Sequence, residues 1–173
     1  MLSILAKLLS ILNSETAAWQ ISLAFCFAMV AGLTPLFNIH NLLVLFLTLI
    51  IRVNLSSFIF AFVLFSGLSF ILDPLFHGLG NVILSAASLQ DMWTSFYNNP
   101  FIRLTRFNNT VVMGSFASSL LLFIPAFFLF KFLVEKYRNT VLEKIRNTKF
   151  MQLLKASKFY KVYEKVSYFR GGE

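Results

Sequence analysis

The chain has 173 residues, of which 58% are hydrophobic and only 13% charged, with 22 Phe and a net charge of +8. A soluble domain carries about 25% charged residues. Here the charge-free runs between Glu15 and Arg52, Arg52 and Asp73, and Arg106 and Lys131 suit membrane-spanning helices of roughly 20 residues, which excludes an ordinary soluble domain; their lack of alternation excludes a β-barrel.

Residues 1–13 open with a broad apolar stripe that leaves Ser3, Lys7 and Ser10 on the other face. The stretch is too short to span and reads as an amphipathic helix in the interface. It lacks the cleavage site of a signal peptide. Asn13 or Ser14 then caps a second helix, with Glu15 in its first turn.

Residues 14–106 read as a membrane domain. Within it, residues 16–33 form a long apolar helix carrying Ala24, Ala28 and Gly32 at four-residue spacing, a seam that lets another backbone approach closely. Cys26 on this helix is read as a small packing residue. Pro35 ends the helix. The turn NIHN follows, then the wholly apolar stretch 42–51. Ten residues reach about 15 Å, half the hydrocarbon thickness. Fusing 42–51 with 55–72 into one span would bury the charge of Arg52, which is expensive. Residues 16–51 are therefore expected to form a re-entrant hairpin, with its polar turn shielded from lipid. A full crossing followed by a half-length return is the alternative.

Residues 55–72 read as a full crossing, stopped at Asp73-Pro74. A shorter segment over 75–87, loosened by Gly78 and Gly80, follows. The expected helix breaks are thus Gly32, Pro35, Pro74 and Gly78. Ser88 and Asp91 resemble a capping box, and Trp93 and Tyr97 suit a membrane interface. The last transmembrane helix falls within 107–131, with a small-residue patch at Gly114, Ser115, Ser118 and Ser119 and a kink at Pro125. Residues 132–173 form a basic helical tail in which Lys155, Lys158, Lys161 and Lys165 make a stripe able to lie on anionic lipid. From Lys131 onward there are 11 Lys/Arg and 4 Asp/Glu, so this end holds +7 of the total. The positive-inside rule then puts both termini in the cytoplasm, and no zinc-finger or RNP-like motif argues for nucleic acid.

Polar residues at membrane depth mark sites by default. The candidates are Asn38, His40 and Asn41 at the hairpin tip and Asp73 and His77 near the second proline. A meeting of His40 with Asp73 would make a proton relay or headgroup site; the plainer role is to satisfy broken-helix backbone. Arg52 and Asn54 lie at the cytoplasmic boundary, where Arg52 holds phosphate or snorkels. No nucleophile–base pair, metal-ligand spacing or Gly-rich phosphate loop appears, so no enzyme, metal or cofactor is expected.

LTPLF and LDPLF, at 33–37 and 72–76, look like a repeat, but their flanks agree poorly. The run G-x-x-P-x-x-x-x-H (Gly32, Pro35, His40), then R-x-N (Arg52, Asn54), then Asp73-Pro74 resembles a bacterial membrane domain catalogued as domain of unknown function twenty-sixty-two. The resemblance covers roughly residues 19–80. The family usually has Gly at the position of Asn38 and Asn-Pro at Asp73-Pro74. It implies a bacterial inner-membrane protein, sometimes joined to sugar-transferring domains, with no known reaction. The expectation is an all-α, multi-pass, non-enzymatic subunit of an envelope-associated complex. It would pack its AFCFAMVAG and GSFASS seams against a membrane-protein partner or a second copy, contact membrane lipids, and assist lipid transfer. The alternative is a small lipid or solute transporter or scramblase built around His40 and Asp73.

Overall fold

The computed structural model describes residues 16–142. Every regular element among them is helical: α1 (Ala18–Leu33), α2 (Ile39–Ile50), α3 (Leu55–Ser85), a 3-10 turn (Ala87–Leu89), α4 (Gln90–Asn98), α5 (Pro100–Arg103) and α6 (Thr110–Lys136). The interfacial helix expected over 1–13 and the cationic stripe Lys155, Lys158, Lys161 and Lys165 lie outside the described residues. The chain divides after Val134. Beyond that point the description holds the end of α6 and a π-helical turn, Tyr137–Leu142.

Two helices are long and apolar enough to cross a membrane: Leu55–Ser85 and the run Thr110–Thr140. At 1.5 Å per residue α3 is about 45 Å long, against about 22 Å for α1 and about 17 Å for α2. The shortest spacing between helices comes where side chains are smallest. Asn54 Nδ2 donates to Thr16 Oγ1 at 3.1 Å, so α1 and α3 start at the same level. Farther along, a Cβ on Gly32 would meet Phe65 Cβ at 2.8 Å and Phe62 O at 3.0 Å. The two helices therefore run parallel, and the chain between them goes out along α1 and returns along α2. α6 runs antiparallel to α3. Its start lies on Gly80, where a Cβ would fall 2.7 Å from the Thr110 carbonyl carbon and 2.9 Å from Gly114 N. Toward its other end Phe130 meets Phe65 and Phe25, and Val134 packs with Ile21.

The core is α1 itself. Ile21, Ala24, Cys26 and Ala28 are wholly buried, and nearly everything from Ala28 to Leu33 is buried with them. The long helices wrap it and turn apolar faces outward, with Phe70 and Leu121 each 80% exposed. α2 is inverted in the same sense: Asn41, Val44 and Thr48 face inward while Leu42, Leu43, Phe46 and Leu49 face out.

Three expectations need correction. The Asp73-Pro74 break does not occur: α3 continues through Pro74 and Gly78 to Ser85, and 75–87 is no separate segment. Proline removes one i→i−4 bond and crowds the carbonyl four residues back, here Phe70 O. The turns after it are held from outside by buried Phe76 and by the Gly80–Gly114 crossing, so the helix survives the loss. Gly78 faces open space and loosens nothing. Second, NIHN is not a turn throughout, because Ile39, His40 and Asn41 already form the first turn of α2. Third, the caps differ: α1 is capped at Ala17 rather than at Asn13 or Ser14, with no acidic residue in its first turn, and the cap of α4 is Leu89, without a side-chain bond, rather than Ser88. Gly32 and Pro35 do mark a break: α1 stops at Leu33 and Thr34 is extended (φ −93°, ψ 150°).

Candidate functional site

The tip between α1 and α2 is a closed polar knot. Pro35 has no N–H to donate, and a helix end leaves carbonyls without partners. The Thr34 hydroxyl lies 2.8 Å from Val30 O and 2.9 Å from Asn41 Oδ1, one proton serving two acceptors. Asn38 Nδ2 donates to Pro35 O at 2.8 Å. Asn41 Nδ2 donates to the same carbonyl at 3.0 Å and lies 3.3 Å from Leu36 O. Asn38 and Asn41 thus do the plainer work foreseen for them: they satisfy the backbone that the break exposes. Thr34 is the member that the motif reading missed. Its position just before a proline that ends an apolar helix was the available signal.

Two atoms of the tip remain without partners. Asn38 is 7% exposed, and its Oδ1 is buried with nothing bonded to it. His40 Nε2 is likewise buried and unbonded. The His40 ring lies against Phe116 of α6, centroids 4.8 Å apart. Ser66 Oγ on α3 is a third such atom, on a residue that Gly32 packs against directly. Native structures bond nearly all buried polar atoms to protein or water; these three find no partner among the described residues.

The second cluster does not join the first. His77 Nδ1 pairs with Thr110 Oγ1 at 2.7 Å, tying α3 to the start of α6 beside the Gly80 crossing. Asp73 is half-buried, and its carboxylate makes none of the side-chain hydrogen bonds among the described residues. No hydrogen bond or ring contact among these residues links His40 to Asp73. The sequence suggests the pairing because both lie beside a proline break expected at one membrane level; the two histidines instead meet α6, His40 at Phe116 and His77 at Thr110, too distant in sequence to be seen locally.

Asn54 is structural. Its Oδ1 accepts from Ser57 N at 2.8 Å and Ser57 Oγ at 2.9 Å, capping α3, while its amide holds Thr16. Arg52 is exposed in the short link before it. The small-residue seams are also occupied within the chain. Gly32 takes the α3 backbone, and Gly114 meets Phe76, whose carbonyl carbon a Cβ would approach to 2.7 Å. Ser115 and Ser119 are buried, and their hydroxyls bond back to α6 carbonyls. Gly114, Ser115 and Ser119 are thus filled from within the chain, while Phe116, Ala117 and Ser118 stay half-buried. Among the described residues no three His, Cys, Asp or Glu side chains gather as a metal site would require.

The profile of a bacterial family described as "Uncharacterized protein conserved in bacteria (DUF2062)" matches residues 3–142. The chain belongs to this family. The match reaches well past residues 19–80, taking in α4 to α6 and the Gly80–Gly114 crossing. A protein of Treponema pallidum (strain Nichols), itself titled "Uncharacterized protein", is 27% identical over 147 residues, covering 85% of this chain and 91% of its own. No solved structure matches.

Proposed function

We propose that the chain is a non-enzymatic protein of the bacterial inner membrane that handles membrane lipid, with its α1–α2 hairpin entering from the cytoplasmic face and turning back near half depth. The observation that carries this reading is the inverted burial. A chain whose longest helices expose Phe70, Ile71, Leu121 and Phe128 while a short helix fills the core suits an apolar solvent. Orientation follows from charge. Arg52 and Lys131 belong to the α1/α3 starting end, and the +7 carried by residues 131–173 follows it in the chain.

Depth follows from register. The tip lies about 20 Å along α1, a little short of halfway along a helix about 45 Å long that starts at the same level. α3 outreaches the roughly 30 Å hydrocarbon layer, so its ends enter the headgroup zones and the tip falls near the middle. Broken backbone at that depth needs protein around it, which the Asn38–Asn41 knot supplies. The unbonded Asn38 Oδ1 and His40 Nε2 favour a polar lipid group drawn toward the tip. The partner-subunit reading loses much of its motive, because Gly32, Gly114, Ser115 and Ser119 are filled internally.

The test is reconstitution of the full chain in phosphatidylethanolamine–phosphatidylglycerol vesicles with a trace of fluorescently tagged lipid and an impermeant quencher. The expected result is faster loss of the inner-leaflet signal than in protein-free vesicles, slowed by Asn38→Ala and His40→Ala. A rate equal to that of empty vesicles, with the chain shown to be folded and inserted, overturns the lipid-handling assignment.

A further inference from the structure

At the far end of α3 the chain folds back into a small aromatic platform. Trp93 stacks on Phe107 (5.8 Å, 28°), Phe96 stands edge-on to both (5.9 and 6.0 Å), and the indole N–H donates to Ile83 O at 3.3 Å. Against it lies an open cleft of about 310 Å³ lined by Leu84, Trp93, Thr94, Tyr97, Phe107 and Asn108. Its floor is apolar. The Tyr97 hydroxyl and the Asn108 amide stand at its edge with no hydrogen bonds to the described residues. No carboxylate lines it. One cation is fixed beside it: the Arg103 guanidinium sits over the Tyr97 ring, 5.6 Å from its centroid. Such stacking holds an otherwise mobile side chain in place.

We propose that this cleft binds the glycerophosphate region of a phospholipid in the outer leaflet. The chemistry divides along the molecule. The phosphodiester is anionic and accepts paired N–H bonds, which Arg103 supplies. The ester carbonyls take the donors of Tyr97 and Asn108. The first methylenes lie on Leu84, Trp93 and Phe107. The volume suits that part of a lipid and no more, and stands at the small end of ligand sites. A bare cation is disfavoured, because the lining has no carboxylate and carries Arg103 at its edge. The placement agrees: Leu84 is the last apolar residue of α3, and Trp and Tyr settle at the level of headgroups. The proposal rests on the reading that α3 and α6 cross a bilayer.

The chain has two tryptophans, Trp19 and Trp93. In a Trp19→Phe background, emission from Trp93 is followed in mild detergent while dihexanoylphosphatidylglycerol is added below its own micelle threshold. Parallel arms use dihexanoylglycerol, which lacks the phosphate, and glycerol 3-phosphate, which lacks the chains. The expected result is a saturable change with the phospholipid alone, weakened about tenfold by Arg103→Gln, the size of one charged hydrogen bond. Equal response to dihexanoylglycerol, or no effect of Arg103→Gln, removes the phosphate contact and overturns the proposal. Saturation by glycerol 3-phosphate alone overturns the lipid assignment in favour of a soluble phosphate ester. Labelling of Tyr97→Cys from outside intact cells tests the membrane reading separately, so absent binding with outside labelling refutes the cleft alone.

Discussion

Gly80 and Gly114 carry the closest helix contact among the described residues, and their replacement gives the sharpest stability test. A Cβ at position 80 would lie 2.7 Å from the Thr110 carbonyl carbon and 2.9 Å from Gly114 N, with the Thr110 oxygen nearer still. Unstrained carbon contacts begin at about 3.5 Å. The helices would have to part by roughly 0.8 Å or more at this point, and every atom pair at the crossing would lose contact energy. The same shift stretches the His77–Thr110 bond, now 2.7 Å, and uncovers Phe76. Overpacking of this kind costs about 1–3 kcal/mol. Gly67 and Gly78 lie in the same helix with nothing within 4 Å of a Cβ. There, alanine gains up to about 1 kcal/mol of helix propensity. Thermal unfolding of the full chain in detergent, followed by circular dichroism, is therefore expected to show Gly80→Ala and Gly114→Ala melting well below the parent, and Gly67→Ala and Gly78→Ala at or above it. Gly80→Ala as stable as Gly78→Ala would refute the close crossing.

Other outcomes follow from the same contacts. Asn54→Ala removes the cap of α3 and the tie to Thr16, and should cost about 1 kcal/mol in the same melt, whereas Asn54→Ser keeps a capping oxygen and recovers part of it. Asn41→Leu leaves Pro35 O with one partner and Leu36 O with none, so about 1–3 kcal/mol should be lost, with the hairpin becoming sensitive to proteolysis first. Pro74→Ala restores a backbone bond inside a continuous helix, so helix content should hold and stability should be unchanged or higher; unfolding of residues 75–85 in hydrogen exchange would instead mean that the proline has a positive role.

The two prolines show what could be read from the sequence and what could not. Pro35 follows a small-residue helix and precedes a polar turn, and the local letters were enough to place a break there. Pro74 sits in the same five-letter frame, yet the helix passes through it. What holds the turns beyond it comes from Gly114, Thr110 and Phe76, residues brought together only by the return of α6. The small-residue seams raised the same difficulty. Spacing marks a helix face that accepts a close neighbour, but it does not say whether the neighbour belongs to the same chain. Arg52-x-Asn54 divided by chemistry: the amide is consumed as a cap and a staple, and the guanidinium is left exposed. No hydrogen bond or ring contact among the described residues joins His40 to Asp73, because proximity to a proline is a sequence property, whereas facing depends on the packed helices.

The central claim is that the α1–α2 tip stops near mid-bilayer after entering from the cytoplasmic side. Phe37 stands at that tip, 87% exposed, so a reporter placed there meets the surrounding medium directly. In a Cys26→Ala background, a bimane label at Phe37→Cys is quenched in vesicles by lipids brominated or spin-labelled at graded depths, with Arg52→Cys and Tyr97→Cys marking the two surfaces. Position 37 is expected to be quenched most by mid-chain quenchers and not to react with impermeant thiol reagents from either side. Labelling of position 37 from outside as readily as position 97 would mean that α1 crosses completely, and the half-depth hairpin would have to be abandoned.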